Sequence, residues 1–381
     1  MPKLSVCIPV EPDFAAPCSL VEALLKQREM DVEVIVSLFE SSREQAQPLY
    51  ERAENDGRLK ILPPAPDNIT AAQLWIGTLQ SACGDWVTLV YPDDMLEPDL
   101  PHLLSHIEKN HPQADALGWN SIQINPSATR DAKAAVAIPV MHQVSEFDKA
   151  TMLDAFFNWT NAPQVPKVPF GLFHGALKRS LVDAILGASA PTSWLTPVPR
   201  FEWTARVVLF ANELLLSSRP MSATSATPYQ PVMVRSALEG FPFDGSLGVT
   251  AAIAEVQARV LSELGSEWAG FNEHFVRSCS VDCILEHDPM AYEKRCLAYQ
   301  TAIRSMPGGE HLLPYFQPKF FPEAPEDKRR GLVGQTLLVD RFIGNAQTAQ
   351  EFYKVVRSML APVFVVTGRK SMSDAELAST G

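Results

Sequence analysis

Acidic residues follow three apolar runs in the first hundred residues of the chain. The runs have the length and composition of strands buried on both faces, and they cover residues 4–10, 32–38 and 86–91. Glu11 follows the first run, Glu40 the second, and Asp93 and Asp94 the third. Because ligands of open α/β sheets bind at the carboxyl ends of the strands, these side chains are candidates for one site. Paired carboxylates can hold a hard divalent cation that bridges phosphate oxygens. The alternative for Asp93 and Asp94 is a turn that reverses the chain.

Strand and helix patterns alternate around these runs. Helices are predicted over residues 20–25, 43–55, 70–83 and 99–110. One further short strand is predicted over residues 60–62. This alternation predicts an α/β fold with an open, mixed but mainly parallel sheet flanked by helices.

The second part of the chain has a helical pattern. Ile253, Val256 and Val260 lie on one helical face, and further amphipathic segments follow. A Ser-, Thr- and Pro-rich stretch over residues 217–231 predicts a connector before it. We predict an α/β domain, a helical C-terminal domain and a flexible tail over residues 1–235, 236–367 and 368–381 respectively.

Composition excludes several classes of protein. Acids outnumber bases 44 to 32 among 381 residues, so the chain lacks the basic footprint of a nucleic-acid-binding protein. No apolar run reaches the roughly 18 residues of a membrane span. The six cysteines form no disulfide framework. With no recognisable signal peptide, these features predict a cytoplasmic protein with reduced thiols.

Common catalytic motifs are missing as well. The sequence contains no Gly-x-Gly, Gly-Lys-Ser/Thr, His-Glu-x-x-His or Gly-x-Ser-x-Gly. These absences argue against a Rossmann oxidoreductase, a P-loop NTPase, a zincin and a serine hydrolase.

The strands and their acidic ends resemble the nucleotide-sugar-binding half of family 2 glycosyltransferases, which have the GT-A fold. The resemblance is carried by LSVCIPV, VEVIVSL and SACGDWVTLVYPDDMLEPDL, in which an apolar strand ends in an acidic metal motif and a Pro follows. It is good over residues 1–110 and thin to about residue 220.

The resemblance implies roles for particular residues. Asp93 and Asp94 would bind Mn²⁺ or Mg²⁺, which neutralises the departing nucleotide diphosphate. Pro9, Val10 and Glu11 would line the donor pocket together with Asp93. Members of the family invert the anomeric carbon with the help of a general base ahead of a late helix. Glu202, beside Trp203, stands at that place, and its alternative role is to complement the dipole of this helix.

Two positions depart from the family pattern. Its Asp-Asp-Gly-Ser stretch after the second strand is absent here, and Glu40 or a neighbouring serine would have to contact the donor. Tyr91 stands at the first acid of the Asp-x-Asp motif.

The sequence therefore supports two functions. The first is metal-dependent, inverting transfer of a sugar from a nucleotide diphosphate donor to a glycan or lipid-linked acceptor, as in polysaccharide biosynthesis. The second is non-catalytic binding of a nucleotide or glycan, or scaffolding of a partner enzyme. Nucleotidyl transfer is disfavoured, because the Gly-rich N-terminal loop that it usually needs is missing.

Aromatic residues near a basic stretch suggest a further partner. Phe316, Phe320 and Phe321 precede Lys328, Arg329 and Arg330, a combination that predicts peripheral contact with a membrane carrying a lipid-linked acceptor. The alternative is that these rings belong to the core beneath an adjacent helix.

Overall fold

The computed structural model describes most of the chain, namely residues 2–12, 14–26, 31–160, 170–190, 193–196, 198–225, 238, 240–322 and 328–367. Its strands are β1 (Leu4–Val10), β2 (Val32–Leu38), β3 (Leu59–Ile61), β4 (Trp86–Leu89), β5 (Met95–Leu96), β6 (Ala114–Trp119), β7 (Ile122–Gln123), β8 (Ala135–Pro139), β9 (Val144–Phe147), β10 (Gly175–Lys178), β11 (Glu213–Ser217), β12 (Ser222–Thr224), β13 (Gly331–Val333) and β14 (Thr336–Asp340). Its α-helices are α1 (Cys18–Leu25), α2 (Gln47–Asn55), α3 (Ala71–Gln80), α4 (Leu100–Asn110), α5 (Lys149–Phe157), α6 (Arg179–Gly187), α7 (Pro199–Phe210), α8 (Val249–Glu263), α9 (Glu273–Ile284), α10 (Pro289–Ser305), α11 (Gly309–Leu312), α12 (Ala349–Val356) and α13 (Val363–Val366).

Eight strands form one mixed sheet in the order β3-β2-β1-β4-β10-β6-β11-β9. All seven residues of β1 are buried, as expected for an apolar strand with helices on both faces. β1 is parallel to β2 and to β4, with Leu4 opposite both Val32 and Trp86. Because these three strands run in the same direction, the residues that follow them meet at one edge of the sheet.

Helices cover both faces of this sheet through apolar residues at helical spacing. On one face, α1 and α4 contribute Leu20, Leu24 and Leu103 to a continuous core. On the other face, Leu79 of α3 and Val207 of α7 belong to a second core. The packing on two sides gives the sheet the layered α/β architecture that the alternating pattern predicts.

A helical part follows the sheet. Helices α8 to α10 enclose a core that contains Val256, Phe275 and Tyr299, and Phe156 of α5 belongs to the same core. Helix α8 also packs along α7. The helical part is therefore attached to the sheet through α5 and α7.

The segment from residue 331 to 367 returns to the sheet domain. Strands β13 and β14 form a hairpin, and β14 pairs antiparallel with β8, with Leu337 opposite Ile138. Helix α12 packs against β5 and β12. Its Phe352 and Val356 share a buried core with Met95 of β5. Residues far apart in sequence therefore form one unit beside the end of β4.

The structure confirms the predicted α/β class and differs from some of the finer expectations. Residues 222–224, inside the predicted connector, form the buried strand β12, where small side chains fit between β5 and β7. The predicted helical run of residues 236–367 is interrupted by β13 and β14. Residues 226–231 of the connector and the predicted tail, 368–381, lie outside the described residues.

The aromatic and basic residues predicted to contact a membrane are partly buried and partly exposed. Phe316 packs into the helical core near Tyr299, whereas Phe320 and Phe321 are exposed. Arg330 forms an ion pair with Asp340 at 2.8 Å. Among the described residues, no helix has the length and apolarity needed to span a bilayer.

Candidate functional site

Asp93 and Asp94 lie in a tight turn after β4. The backbone N–H of Asp94 donates to Tyr91 O at 3.1 Å, and the backbone N–H of Tyr91 donates back to Asp94 Oδ2 at 2.9 Å. Ser225, directly after β12, donates its hydroxyl to Asp93 Oδ2 at 2.6 Å. Asp94 is fully buried, and Asp93 is half-buried. Both carboxylates are therefore held in place, as a preformed binding site requires and as a structural turn would also show.

The surroundings of Asp94 favour its protonated form. Burial raises the pKa of Asp94 to about 7, and the charge of Asp93 adds to this rise. Hydrogen bonds from Thr224 and from the Tyr91 N–H oppose the rise, as does the positive charge of Arg200. A buried carboxyl of this kind gains by acquiring a cationic partner.

Each of the two carboxylates keeps one oxygen that has no partner in the described part of the chain. Oδ1 of Asp93 and Oδ1 of Asp94 are buried, and neither accepts a hydrogen bond from the described residues. Within the same part of the chain, no three His, Cys, Asp or Glu side chains form a complete metal-binding group. Mg²⁺ is typically held by one or two carboxylates, and water and substrate phosphates complete its coordination. The two unpaired oxygens fit a divalent cation of that kind.

An aromatic stack adjoins the turn. The ring of Tyr91 stacks with that of Phe14, at 5.7 Å and 18°, and with that of Phe173, at 4.4 Å and 19°. The guanidinium of Arg200, at the start of α7, lies 4.5 Å from the centre of the Tyr91 ring and 4.6 Å from that of Phe173. Burial raises the pKa of Tyr91, so its phenol is neutral. Trp75 packs edge-on against Phe173 at 5.2 Å.

The predicted donor pocket falls partly at this edge. Pro9 and Val10 are the last, buried residues of β1, opposite Ser37 and Leu38 of β2. Glu11 follows at half-burial, and its charge contributes to the raised pKa of Tyr91. The structure therefore brings Pro9, Val10 and Glu11 to the same edge of the sheet as the aspartate pair.

Glu40 lies apart from these groups. It begins a short 3-10 turn after β2, is exposed, and contacts Arg43 at 3.4 Å. The next residue, Ser41, binds Asp67 Oδ1 through its backbone N–H at 3.2 Å and its hydroxyl at 2.8 Å. The acid expected after the second strand thus points toward solvent and its own turn.

Glu202 is buried inside the protein. Its Oε1 accepts from Arg206 Nη2 at 2.7 Å and from Nε at 3.1 Å, and the backbone N–H of Trp194 donates to both carboxylate oxygens at 2.9 Å. Thr196 donates its hydroxyl to Oε2 at 3.1 Å. Arg206 also binds Glu263 of α8 at 2.5 Å. With no exposed surface, Glu202 cannot reach an acceptor hydroxyl in this conformation. Its placement does not support the role of general base and supports that of an anchor for the loop before α7.

The returning C-terminal segment reaches the aspartate turn. Gln350 of α12 donates its side-chain amide to Asp94 O at 3.1 Å. A cavity of about 170 Å³ separates α12 from the start of α1, and its lining consists of Ala15, Ala16, Pro17, Ser19, Pro92, Asp93, Thr348 and Gln350. Asp93 thus faces an open space whose far wall comes from Thr348 and Gln350, at the start of α12.

A buried ion-pair network fixes this segment. Glu97, two residues after Met95, is buried and binds Arg219 at 2.6 Å and Arg357 at 2.6 Å. The hydroxyl of Tyr353 donates to the same carboxylate at 2.9 Å. Burying a carboxylate is costly unless it is paired, so these partners hold residues 349–357 in place beside the site.

Comparison with solved structures identifies the fold. Residues 1–349 of S. aureus TarS, solved with UDP, share 18% identity with this chain, cover 81% of it and 83% of their own length, and superimpose with a TM-score of 0.50. The same part of TarS with UDP-GlcNAc gives 17% identity, the same coverages and a TM-score of 0.49. The mannosyltransferase PcManGT from Pyrobaculum calidifontis, with GDP-Man and Mn²⁺, gives 14% identity over 82% and 79% of the two chains and a TM-score of 0.41. No protein-family model and no curated protein matches the sequence.

TarS is a GT-A-type family 2 glycosyltransferase. The chain therefore has the GT-A fold, and the resemblance inferred from its first 110 residues is confirmed for the fold. Sequence reasoning missed three residues beside the aspartate pair: Arg200, Ser225 and Gln350. Only Arg200 had a signal in the sequence, as a basic residue at the start of a predicted helix, directly after Pro199.

Proposed function

We propose that the protein transfers a sugar from a nucleotide diphosphate donor to a glycan or lipid-linked acceptor, with the help of a divalent metal ion. The observation that carries the proposal is the pair of buried Oδ1 atoms of Asp93 and Asp94 at the carboxyl end of β4, which accept no hydrogen bond from the described residues. The GT-A fold supports this assignment, because its strand ends at this edge provide the place for a ligand. UDP is the first nucleotide to test, since TarS was solved with it.

In this proposal each residue at the sheet edge has a separate task. Asp93 and Asp94 hold a Mn²⁺ or Mg²⁺ ion, which when bound neutralises charge on the departing diphosphate. Pro9, Val10 and Glu11 shape the nucleotide pocket. The acceptor oxygen attacks the anomeric carbon, the bond from that carbon to the diphosphate oxygen breaks, and configuration inverts. The acceptor's proton must pass to a base during this step.

The burial of the expected base favours a second function, namely binding of a nucleotide sugar without transfer. Glu202, the residue expected to take the proton, is buried in an ion pair with Arg206. A GT-A-fold protein that binds a nucleotide sugar without transferring it needs no accessible base. The burial of Glu202 favours this non-catalytic alternative, and only an activity measurement distinguishes the two.

Binding and turnover should be measured separately. A thermal-shift panel of UDP, GDP, dTDP and CMP, with and without Mn²⁺, identifies the nucleotide, because a ligand at a hundred times its Kd stabilises by about 2.7 kcal/mol. Asp93→Asn should abolish the contribution of Mn²⁺. Asp85→Asn is the matched control, since Asp85 precedes the same strand at its opposite end and pairs with Lys3 at 2.7 Å. Failure of every nucleotide to bind would refute the proposal.

Turnover is then measured with the matching nucleotide sugar. Release of nucleotide diphosphate, by transfer to an acceptor or by slow hydrolysis, supports the enzyme. Tight binding with no release under any condition supports the non-catalytic alternative.

A further inference from the structure

Opposite charges with unsatisfied hydrogen-bonding groups lie close together around Tyr91. Its backbone N–H binds Asp94, and its ring carries the guanidinium of Arg200. Nε and Nη2 of Arg200 are buried without a hydrogen-bond acceptor among the described residues, and Oδ1 of Asp93 and of Asp94 are buried without a donor. The guanidinium and the carboxylates therefore do not use these atoms to satisfy one another.

The aromatic contacts of Arg200 do not satisfy the hydrogen-bond donors of its guanidinium. The Tyr91 and Phe173 rings lie 4.5 and 4.6 Å from the guanidinium carbon, which is a favourable cation–π distance. Stacking occupies the faces of a guanidinium, whereas its five N–H groups point outward in its plane. Buried N–H groups without acceptors are costly, so an arginine held in this way fits a ligand that supplies anionic oxygens.

A single ligand can satisfy both sets of atoms. Anionic oxygens would accept from Arg200, and a cation carried by the same ligand would meet the Oδ1 atoms of Asp93 and Asp94. A diphosphate with its divalent cation has both features. We infer that Arg200 binds the diphosphate of the nucleotide donor and that Tyr91 and Phe173 hold its guanidinium ready for it. This inference rests on the proposed function and assigns a further residue to the same site.

The inference also explains the departure at Tyr91. Where the family pattern has an acid, this chain has a ring that carries an arginine. The site then contains two carboxylates and one guanidinium, so part of the diphosphate charge is balanced without a metal. We expect the parent protein to keep measurable affinity for diphosphate in EDTA, and this residual affinity depends on Arg200.

Calorimetric titrations with UDP, inorganic pyrophosphate and uridine test the assignment. Arg200→Gln should weaken UDP and pyrophosphate binding at least tenfold, with Mn²⁺ and with EDTA, and leave uridine binding unchanged. Asp94→Asn should lose only the part of the affinity that requires Mn²⁺. Arg277→Gln is the matched control, because Arg277 also lies over an aromatic ring, that of Tyr315 at 4.9 Å, but in the helical part. This variant should bind all three ligands as the parent does.

Arg200→Lys guards against a folding defect. Lysine keeps the charge but lacks the planar fork that binds two oxygens at once. This variant should melt with the parent protein and bind pyrophosphate several-fold more weakly.

The outcomes separate the two claims. If the parent binds UDP and both folded Arg200 variants match it within twofold, the inference fails and the proposed function stands. If Arg200→Gln weakens uridine as much as UDP, Arg200 shapes the nucleoside pocket and the diphosphate assignment is wrong. If the parent binds neither pyrophosphate nor any nucleotide of the panel, both claims fall.

Discussion

Replacing Glu202 by Gln tests whether this residue is an anchor or a base. The side chain keeps its size, but the amide cannot carry the charge that faces Arg206, and its NH₂ group meets donors from Trp194 or Arg206. Removing one partner of a buried ion pair costs about 3–5 kcal/mol. The lower end applies here, because Arg206 keeps Glu263 at 2.5 Å.

This loss is large enough to measure by thermal unfolding. Proteins unfold with an entropy of about 2.1 cal/mol/K per residue, so the 381 residues give about 0.8 kcal/mol/K. A loss of about 3 kcal/mol therefore lowers Tm by about 4 °C. Glu255→Gln is a matched control, since Glu255 is a buried partner of Arg259 at 3.3 Å, also one helical turn away, on the neighbouring helix α8. Both variants should lose similar stability and bind UDP as the parent does.

A general base predicts the opposite pattern. Glu202→Gln would then melt with the parent while turnover falls at least a hundredfold. A Tm within 1 °C of the parent, together with that loss of rate, would show that the carboxylate leaves its ion pair to reach the acceptor. The anchor assignment would be refuted.

Three further predictions concern the pH dependence and the C-terminal segment. The pKa of Asp94, about 7 when folded against about 3.9 when unfolded, means that the folded protein holds an extra proton between these values. Stability should therefore fall as pH rises through this window, while titrated Mn²⁺ affinity rises about tenfold per pH unit, and Asp94→Asn removes both effects. Burial would raise the pKa of Glu33, but hydrogen-bond donors led by Lys60 hold that pKa at about 2. The stabilising contribution of Glu33 is therefore present above pH 4.5 and lost toward pH 2. Glu33→Gln should lower the free energy of unfolding, measured in urea, by about 2 kcal/mol at pH 7 and leave it unchanged near pH 2. Arg357→Ala removes a partner of buried Glu97, so trypsin should cleave residues 306–348 faster than in the parent.

The sheet was predictable because its signal is local. Residues 4–10 and 32–38 are mostly apolar, and the structure has strands with these bounds. The third run was predicted two residues too long, because Tyr91 belongs to the turn that Asp94 closes. A strand that is buried on both faces has a mostly apolar sequence, so such a run predicts a strand without knowledge of its neighbours.

Strand β12 was not predictable in this way. Ser222, Ala223 and Thr224 have the composition of a linker, yet all three are buried between two short strands. The hydroxyl of Ser222 accepts from Trp119 Nε1 at 2.8 Å, so its polarity is satisfied inside the core. Composition cannot reveal such a partner, which comes from another part of the chain.

Only the part of the site that follows a single strand could be predicted from the sequence. Asp93 and Asp94 stand directly after an apolar run, so their place follows from one strand. Arg200 and Gln350 reach the same turn from α7 and α12, and no local pattern reports on contacts that tertiary packing creates. The charge of Glu202 was visible in the sequence, but its burial depends on Arg206 and on a loop that folds over it.

The attachment of α12 also has a consequence for the newly made chain on the ribosome. Arg357 and Glu97 are 260 residues apart, and synthesis proceeds at about 5–20 residues per second, so roughly 10 to 50 s separate their appearance. During that interval the aspartate turn exists without the helix that donates to Asp94 and without one of the cations that balance Glu97. The strands that carry the turn can form early, but the wall beside it is synthesised much later. A prematurely released chain would therefore present an unfinished pocket, so that ligand capture reports that translation has passed α12.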